Sequence, residues 1–177
     1  MLHQMAYKYK LKTTPELEQK LAQMAGCSRF VWNKGLGMNF QRLREGQGLI
    51  WYHEFAFWVT FWKKTEELCF LKECPSQALQ QTLKRLDRAF RDGFDKNQPN
   101  KRLPVFKRKW GKDSFLLPQG FKIDNRRVFL PKLGWVSFHK SRDIKGHPKN
   151  ITVKKEADGW YILVQTEIEA EKGQHPS

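Results

Sequence analysis

Apolar positions keep a helical step through the first half of this 177-residue chain and an alternating step from Ser114 onward. Before the helical part, Tyr7-Lys8-Tyr9-Lys10-Leu11 alternates and predicts a short strand. Thr14 then suits an N-cap with Pro15 at the first helical position, or Thr13 and Glu16 form a capping box. Leu17, Leu21 and Met24 recur at helical spacing up to Gly26, an expected stop. Ser28 suits the cap of a second helix, striped by Trp32, Leu36, Phe40 and Leu43 and ending at Gly46. Two helices joined at Gly26-Cys27 suggest a helix-turn-helix, a weak signal because helical hairpins with a Gly turn are common. Gly35 and Gly37 lie inside the second helix and weaken it by roughly 1 kcal/mol each relative to alanine.

Tyr52–Lys64 predicts a third helix, aromatic on more than one face and therefore expected to be well buried. A kinked passage at Leu68–Leu71 leads to Ser76, expected to cap a long fourth helix with Leu79, Leu83, Leu86 and Phe90 on its apolar stripe. After a turn at Asn97-Gln98-Pro99-Asn100 the texture changes to short β-type runs. These are Ser114–Leu117, Phe121–Ile123, Val128–Leu130, Trp135–His139, Ile151–Lys155 and Trp160–Thr166. Turn residues separate them, and Asp158-Gly159 is a strong hairpin signal. Helices followed by short strands give an α+β chain with a small barrel or sandwich, and no internal repeat is visible.

Charge changes this picture most. Thirty-three Lys and Arg against 18 Asp and Glu give +15, a field that favours a polyanion such as nucleic acid. The excess is local. Residues 84–112 hold 11 cations and three acids, whereas residues 150–177 hold three cations and five acids. Lys84, Arg85, Arg88 and Arg91 lie on the fourth helix, with Asp87, Asp92 and Asp95 as partial partners. The stretch Lys101–Lys112 then interleaves cations with Phe106 and Trp110, rings suited either to base stacking or to anchoring the loop. Gln77, Gln80 and Gln81 beside these cations have the donors and acceptors to pair with adenine edges, and equally suit a solvated polar face.

Other chemistry is sparse. No apolar run approaches the roughly 18 residues of a membrane span, and residues 1–11 carry no secretory pattern. The expected compartment is the cytoplasm, with no membrane partner. Cys27, Cys69 and Cys74 make no metal-ligand spacing and are expected to be reduced, mostly buried thiols; the five histidines are scattered. Phosphate loops, nucleophile elbows and zinc-protease motifs are missing. The expectation is therefore no metal, no cofactor and no catalytic residue.

Several segments together resemble TnpB (OrfB) proteins, the RNA-guided effectors of insertion sequences. They are Cys27–Asn33, Pro75–Leu83 with Leu86–Phe90, Leu103–Lys109, Ser114-Phe115 with Pro118–Phe121, Leu130–Trp135 and Ala157–Tyr161. They occur in the family's order and cover roughly residues 5–167. The resemblance implies a helical bundle inserted into a small split antiparallel β-barrel. Residues 1–12 would give the barrel's first strand and 13–97 a helical recognition domain with a helix-turn-helix. Residues 98–169 would give a basic loop and the remaining strands, and 170–177 a disordered tail.

It further implies guide RNA and duplex DNA as partners, with base pairing reading most of the target and protein reading a short adjacent motif. Ser76, Gln77, Gln80, Gln81 and Lys84 would face that DNA motif. Lys84, Arg85, Arg88, Lys107, Arg108 and Lys109 would hold phosphates, and Tyr7, Lys8, Arg29 and Asn33 would face RNA. The family's RuvC-like acids and zinc cysteines have no counterpart in this sequence. The leading expectation is a non-catalytic binding module of a transposase. The alternatives are the front of a nuclease completed by a separately encoded half, and a nuclease-less DNA-binding regulator.

Overall fold

A computed structural model describes residues 2–109 and 112–169; Trp110 and the expected tail at 170–177 fall outside them. The change of period is realised as two compact units, one of residues 1–20 with 116–177 and the other of residues 21–115. The chain passes between them inside the first helix and the second strand.

The first unit is built on a seven-stranded sheet. Its strands are β1 (Leu2–Leu11), β2 (Ser114–Leu117), β3 (Lys122–Asp124), β4 (Arg127–Leu130), β5 (Gly134–His139), β6 (His147–Glu156) and β7 (Gly159–Glu169), in the order β2-β6-β7-β1-β5-β4-β3. The ladders β3–β4, β4–β5, β5–β1, β1–β7 and β7–β6 are all antiparallel. With β2 and β3 at opposite edges the sheet is a curled half-barrel, and the chain is α+β as expected. Alternation places Tyr7, Tyr9, Leu11, Val136, Phe138, Ile151, Val153, Ile162 and Val164 in the core.

β1 is central because both of its edges are paired, to β7 and to β5. The segment most distant in sequence thus closes the sheet. The hairpin expected at Asp158-Gly159 forms one residue earlier: Glu156 pairs with Gly159 around Ala157-Asp158. Gly159 begins β7 at φ +144°, where a side chain would be strained. Thr14 caps the helix that follows, its hydroxyl accepting from Leu17 N (3.2 Å), while Thr13 bonds Glu18 rather than Glu16 (2.7 Å).

The helical unit contains most of α1 (Pro15–Arg44), then α2 (Tyr52–Trp62), a 3-10 turn at Cys69–Glu73 and α3 (Ser76–Phe94). Three expectations are corrected here. Gly26 does not stop a helix: α1 runs on through Gly26-Cys27 for 30 residues, and Ser28 is buried in mid-helix rather than capping. The burial of Met24, Ala25, Cys27 and Ser28 around it outweighs the weak local break. Ser76 is the first helical residue of α3 and Pro75 occupies the cap position, without a side-chain cap. And α2 buries only Phe55, Val59 and Trp62, leaving Phe57 (67%) and Phe61 (50%) exposed.

Leu79, Leu83, Leu86 and Phe90 form the α3 stripe as expected, each at most 1% exposed. Leu86 and Phe55 press on Gly35, where a Cβ would lie 2.8 Å from Leu86 Cδ2. At Gly26 a Cβ would meet only Arg29 at 3.5 Å. Gly26→Ala is therefore expected to stabilise the fold by about 0.5–1 kcal/mol. Gly35→Ala is expected to destabilise it by about 1–3 kcal/mol through overpacking. Urea denaturation of both variants checks the pair, and a loss of stability at residue 26 would mean that the chain turns there.

Of the thiols, Cys27 and Cys74 are buried and Cys69 is exposed. A hydrogen bond from Cys74 lowers the Cys27 thiol below its usual range; the same bond, reinforced by burial, pushes Cys74 up.

Candidate nucleic-acid interface

α3 and the loop after it carry the candidate interface. Helical spacing places Ser76, Gln80, Lys84 and Arg88 four residues apart, and all four are exposed. The Arg88 side chain is 85% exposed and reaches Asp92 only at 3.9 Å. Gln77 and Gln81 flank this stripe half-buried, and Gln77 Oε1 is buried without a hydrogen-bond partner. Because the apolar stripe of α3 is fixed in the core, the polar stripe is held rigidly outward.

The acids nearby have local tasks. Asp87 accepts from Tyr52 N (3.1 Å) at the start of α2 and from Arg91 Nε (2.5 Å). Asp95 accepts from Asn97 N and Gln98 Nε2, which shapes the turn and holds its carboxyl below the usual range. Lys84, Arg85, Lys107 and Arg108 have no ion pair among the described residues.

The basic loop is held in place along its backbone. Trp32 Nε1 donates to Val105 O (2.9 Å). Asn33 grips Lys107 at both ends of its amide, donating to Lys107 O (2.9 Å) and accepting from Lys107 N (2.8 Å). Arg29 donates to Lys109 O (3.3 Å) and pairs with Asp113 (2.8 Å). Phe106 packs edge-on against Phe40 (5.8 Å) yet remains 54% exposed, so it anchors the loop and still presents ring surface. At Gly93 a Cβ would come within 3.1 Å of the backbone of Arg102 and Leu103, so glycine lets the returning chain approach α3 closely.

These bonds bring Lys107 near α3. Its ammonium lies 4.3 Å from the centre of the Trp32 ring, so the charged end is shielded although the residue as a whole is exposed. That desolvation lowers the Lys107 pKa, and the positive charge of Arg85 lowers it further. Burial lowers Arg85 as well. Two cations that disfavour each other and lack a carboxylate are relieved by an anion placed between them. The arrangement suits a phosphate.

The sequence reading missed an aromatic cleft beside the stripe. Trp51, Tyr52, His53, Lys84, Asp87, Arg88 and Arg91 enclose about 350 Å³. Arg91 stacks over Trp51 (4.7 Å) and Lys84 lies over Tyr52 (5.3 Å). The adjacent aromatics at the start of α2 were the available signal, but their closeness to Lys84 and Arg91 depends on how α2 packs on α3.

The residues linked with RNA divide. In the helical unit, Arg29 and Asn33 are engaged with the basic loop. In the sheet unit, Tyr7 is only 2% exposed: its hydroxyl accepts from Lys145 N (3.1 Å), and Arg142 covers the ring at 4.5 Å. Lys8 is exposed, paired with Glu156 (2.6 Å) and placed over Tyr161 (4.7 Å). Arg108 and Lys109 are exposed in the loop. No group of three His, Cys, Asp or Glu that could hold a metal occurs among the described residues. No helix there is long and apolar enough to cross a membrane.

A family profile described as a helix-turn-helix domain (HTH_OrfB_IS605) matches residues 1–48; in this chain that segment holds β1 and the unbroken α1. The chain is 40% identical over 97% of its length to a protein of Escherichia coli (strain K12) provisionally named RNA-guided DNA endonuclease InsQ. It is 30% identical over 92% of its length to a Streptomyces pristinaespiralis protein provisionally named RNA-guided DNA endonuclease. It spans 42% and 41% of the lengths of these relatives. Similarity along nearly all of its own length, together with the matched domain, bears out the resemblance of this chain to the TnpB (OrfB) proteins of insertion sequences, of whose length it spans less than half.

Proposed function

We propose that this chain binds nucleic acid for a TnpB-type transposition protein, engaging duplex DNA through α3 and the basic loop, with guide RNA as its second partner. The observation that carries this reading is the exposed stripe Ser76–Gln80–Lys84–Arg88 beside the Arg85–Lys107 pair, with no ion pair for Lys84, Arg85 or Lys107 among the described residues. Gln80, and Ser76 one turn before it, are suited to base edges in a major groove. Lys84, Arg85, Arg88, Lys107, Arg108 and Lys109 are assigned to phosphates, which position the duplex without reading it. Lys8 is assigned to RNA. Arg29 and Asn33 support the interface by fixing the loop. The cleft at Trp51 and Tyr52 adds ring surface beside the phosphate-binding cations. No catalytic step is assigned to these residues.

Selection of bound duplexes from a random pool tests the reading and should return a short preferred motif. Gln80→Ala is expected to reduce discrimination at one motif position by about 1–3 kcal/mol while leaving the salt dependence unchanged. A variant that bound every duplex more weakly, without losing preference, would assign Gln80 to the backbone instead.

A further inference from the structure

The exposed aromatic face of α2 is not explained by a phosphate-binding role. Phe57 and Phe61, one turn apart, are 67% and 50% exposed, and Trp58 joins them through edge-on contacts at 6.1 and 6.0 Å. Contiguous exposed rings of this kind mark a surface that another surface covers. The local charge argues against a polyanion there. In a chain of +15, residues 52–67 hold two cations and three carboxylates, and the further cation at this face, Arg42, is already paired with Glu54. Counterion release, the main source of nucleic-acid affinity, has little to act on at this face.

From the placement of these residues we propose that this face is a self-association surface, on which α2 packs antiparallel against α2 of a second copy. The spacing is self-complementary. Positions 57 and 61 are symmetric about Val59, and so are Glu54 and Lys64. A two-fold axis at Val59 therefore sets Phe57 against the partner's Phe61 and Glu54 against the partner's Lys64, twice over. Lys64 is exposed and has no ion pair among the described residues. The Glu54 side chain is 44% exposed, and its bonds to Arg42 (2.9 Å) and Trp58 (3.2 Å) hold the carboxylate in position with lone pairs to spare. A parallel arrangement would set Glu54 beside Glu54 and Lys64 beside Lys64, so charge selects the antiparallel one.

Sedimentation velocity of the nuclease-treated chain over a range of concentrations tests this. The expected result is a reversible monomer–dimer equilibrium. Phe57→Ser combined with Phe61→Ser should abolish it with the helical circular dichroism intact. Lys64→Glu should weaken dimerisation about tenfold, and adding Glu54→Lys should restore most of the loss. If the aromatic variant fails to fold, the charge exchange decides alone. A monomer at every concentration overturns the proposal, as does a dimer indifferent to the aromatic pair or a double charge exchange that fails to restore association.

Discussion

Removing three cations together, with Lys84→Ala, Arg88→Ala and Lys107→Ala, is expected to lower affinity for duplex DNA about a hundredfold near 0.1 M salt. The plot of log affinity against log salt should lose about 2.7 from its slope, because each phosphate contact on B-form DNA contributes about 0.9. All three residues are exposed as a whole, so the fold should survive the substitutions. The main structural losses are the shielded Lys107 contact with Trp32 and the exposed Lys84 contact with Tyr52, together about 2–3 kcal/mol. Fluorescence anisotropy at several salt concentrations measures both quantities. A large affinity loss with an unchanged slope would mean that the cations act through the fold rather than through phosphate.

Asn39→Ala is expected to be the most destabilising polar substitution in the helical unit, at about 3 kcal/mol. Asn39 is fully buried, donating to Ile50 O (3.1 Å) and accepting from Ile50 N (2.7 Å). Alanine would strand both backbone groups of Ile50, itself 1% exposed, at about 1–3 kcal/mol for each unsatisfied group. The melting temperature should fall by roughly 6–12 °C. Asn33, six residues earlier on α1, grips Lys107 in the same two-handed way but at the surface. Asn33→Ala should therefore cost only about 1 kcal/mol of stability, since water replaces its bonds. It should still weaken DNA binding, by releasing the loop that carries Lys107 and Arg108. Thermal melts and binding titrations of the two variants should separate a clamp that holds the fold together from one that aims the loop.

Much of the sheet was legible because alternation is a local signal. Tyr7, Tyr9 and Leu11, or Ile151 and Val153, declare their inner face without knowledge of their neighbours. That β1 pairs with β7, some 160 residues away, is a matter of pairing and has no local mark. The apolar stripe of α3 was equally plain, and with it the outward placement of Gln80, Lys84 and Arg88. Gly26 misled because a glycine between two apolar stretches ordinarily ends a helix, whereas here burial on both sides of it carries the helix through. The faces of α2 misled in the other direction. Aromatic content suggested burial, but an 11-residue helix has only one side to give to α3, and its remaining rings face outward. The roles of Arg29 and Asn33 could not be read from the sequence, because their partners lie more than 70 residues away in the basic loop.

The most direct measurement is the affinity of the intact chain for a duplex DNA and for a structured RNA across a salt series. Contact through the α3 stripe and the Arg85–Lys107 pair predicts steep, linear loss of binding to both as salt rises, with a slope corresponding to several phosphates. Binding that stays level with salt, or is absent at low salt, would contradict it.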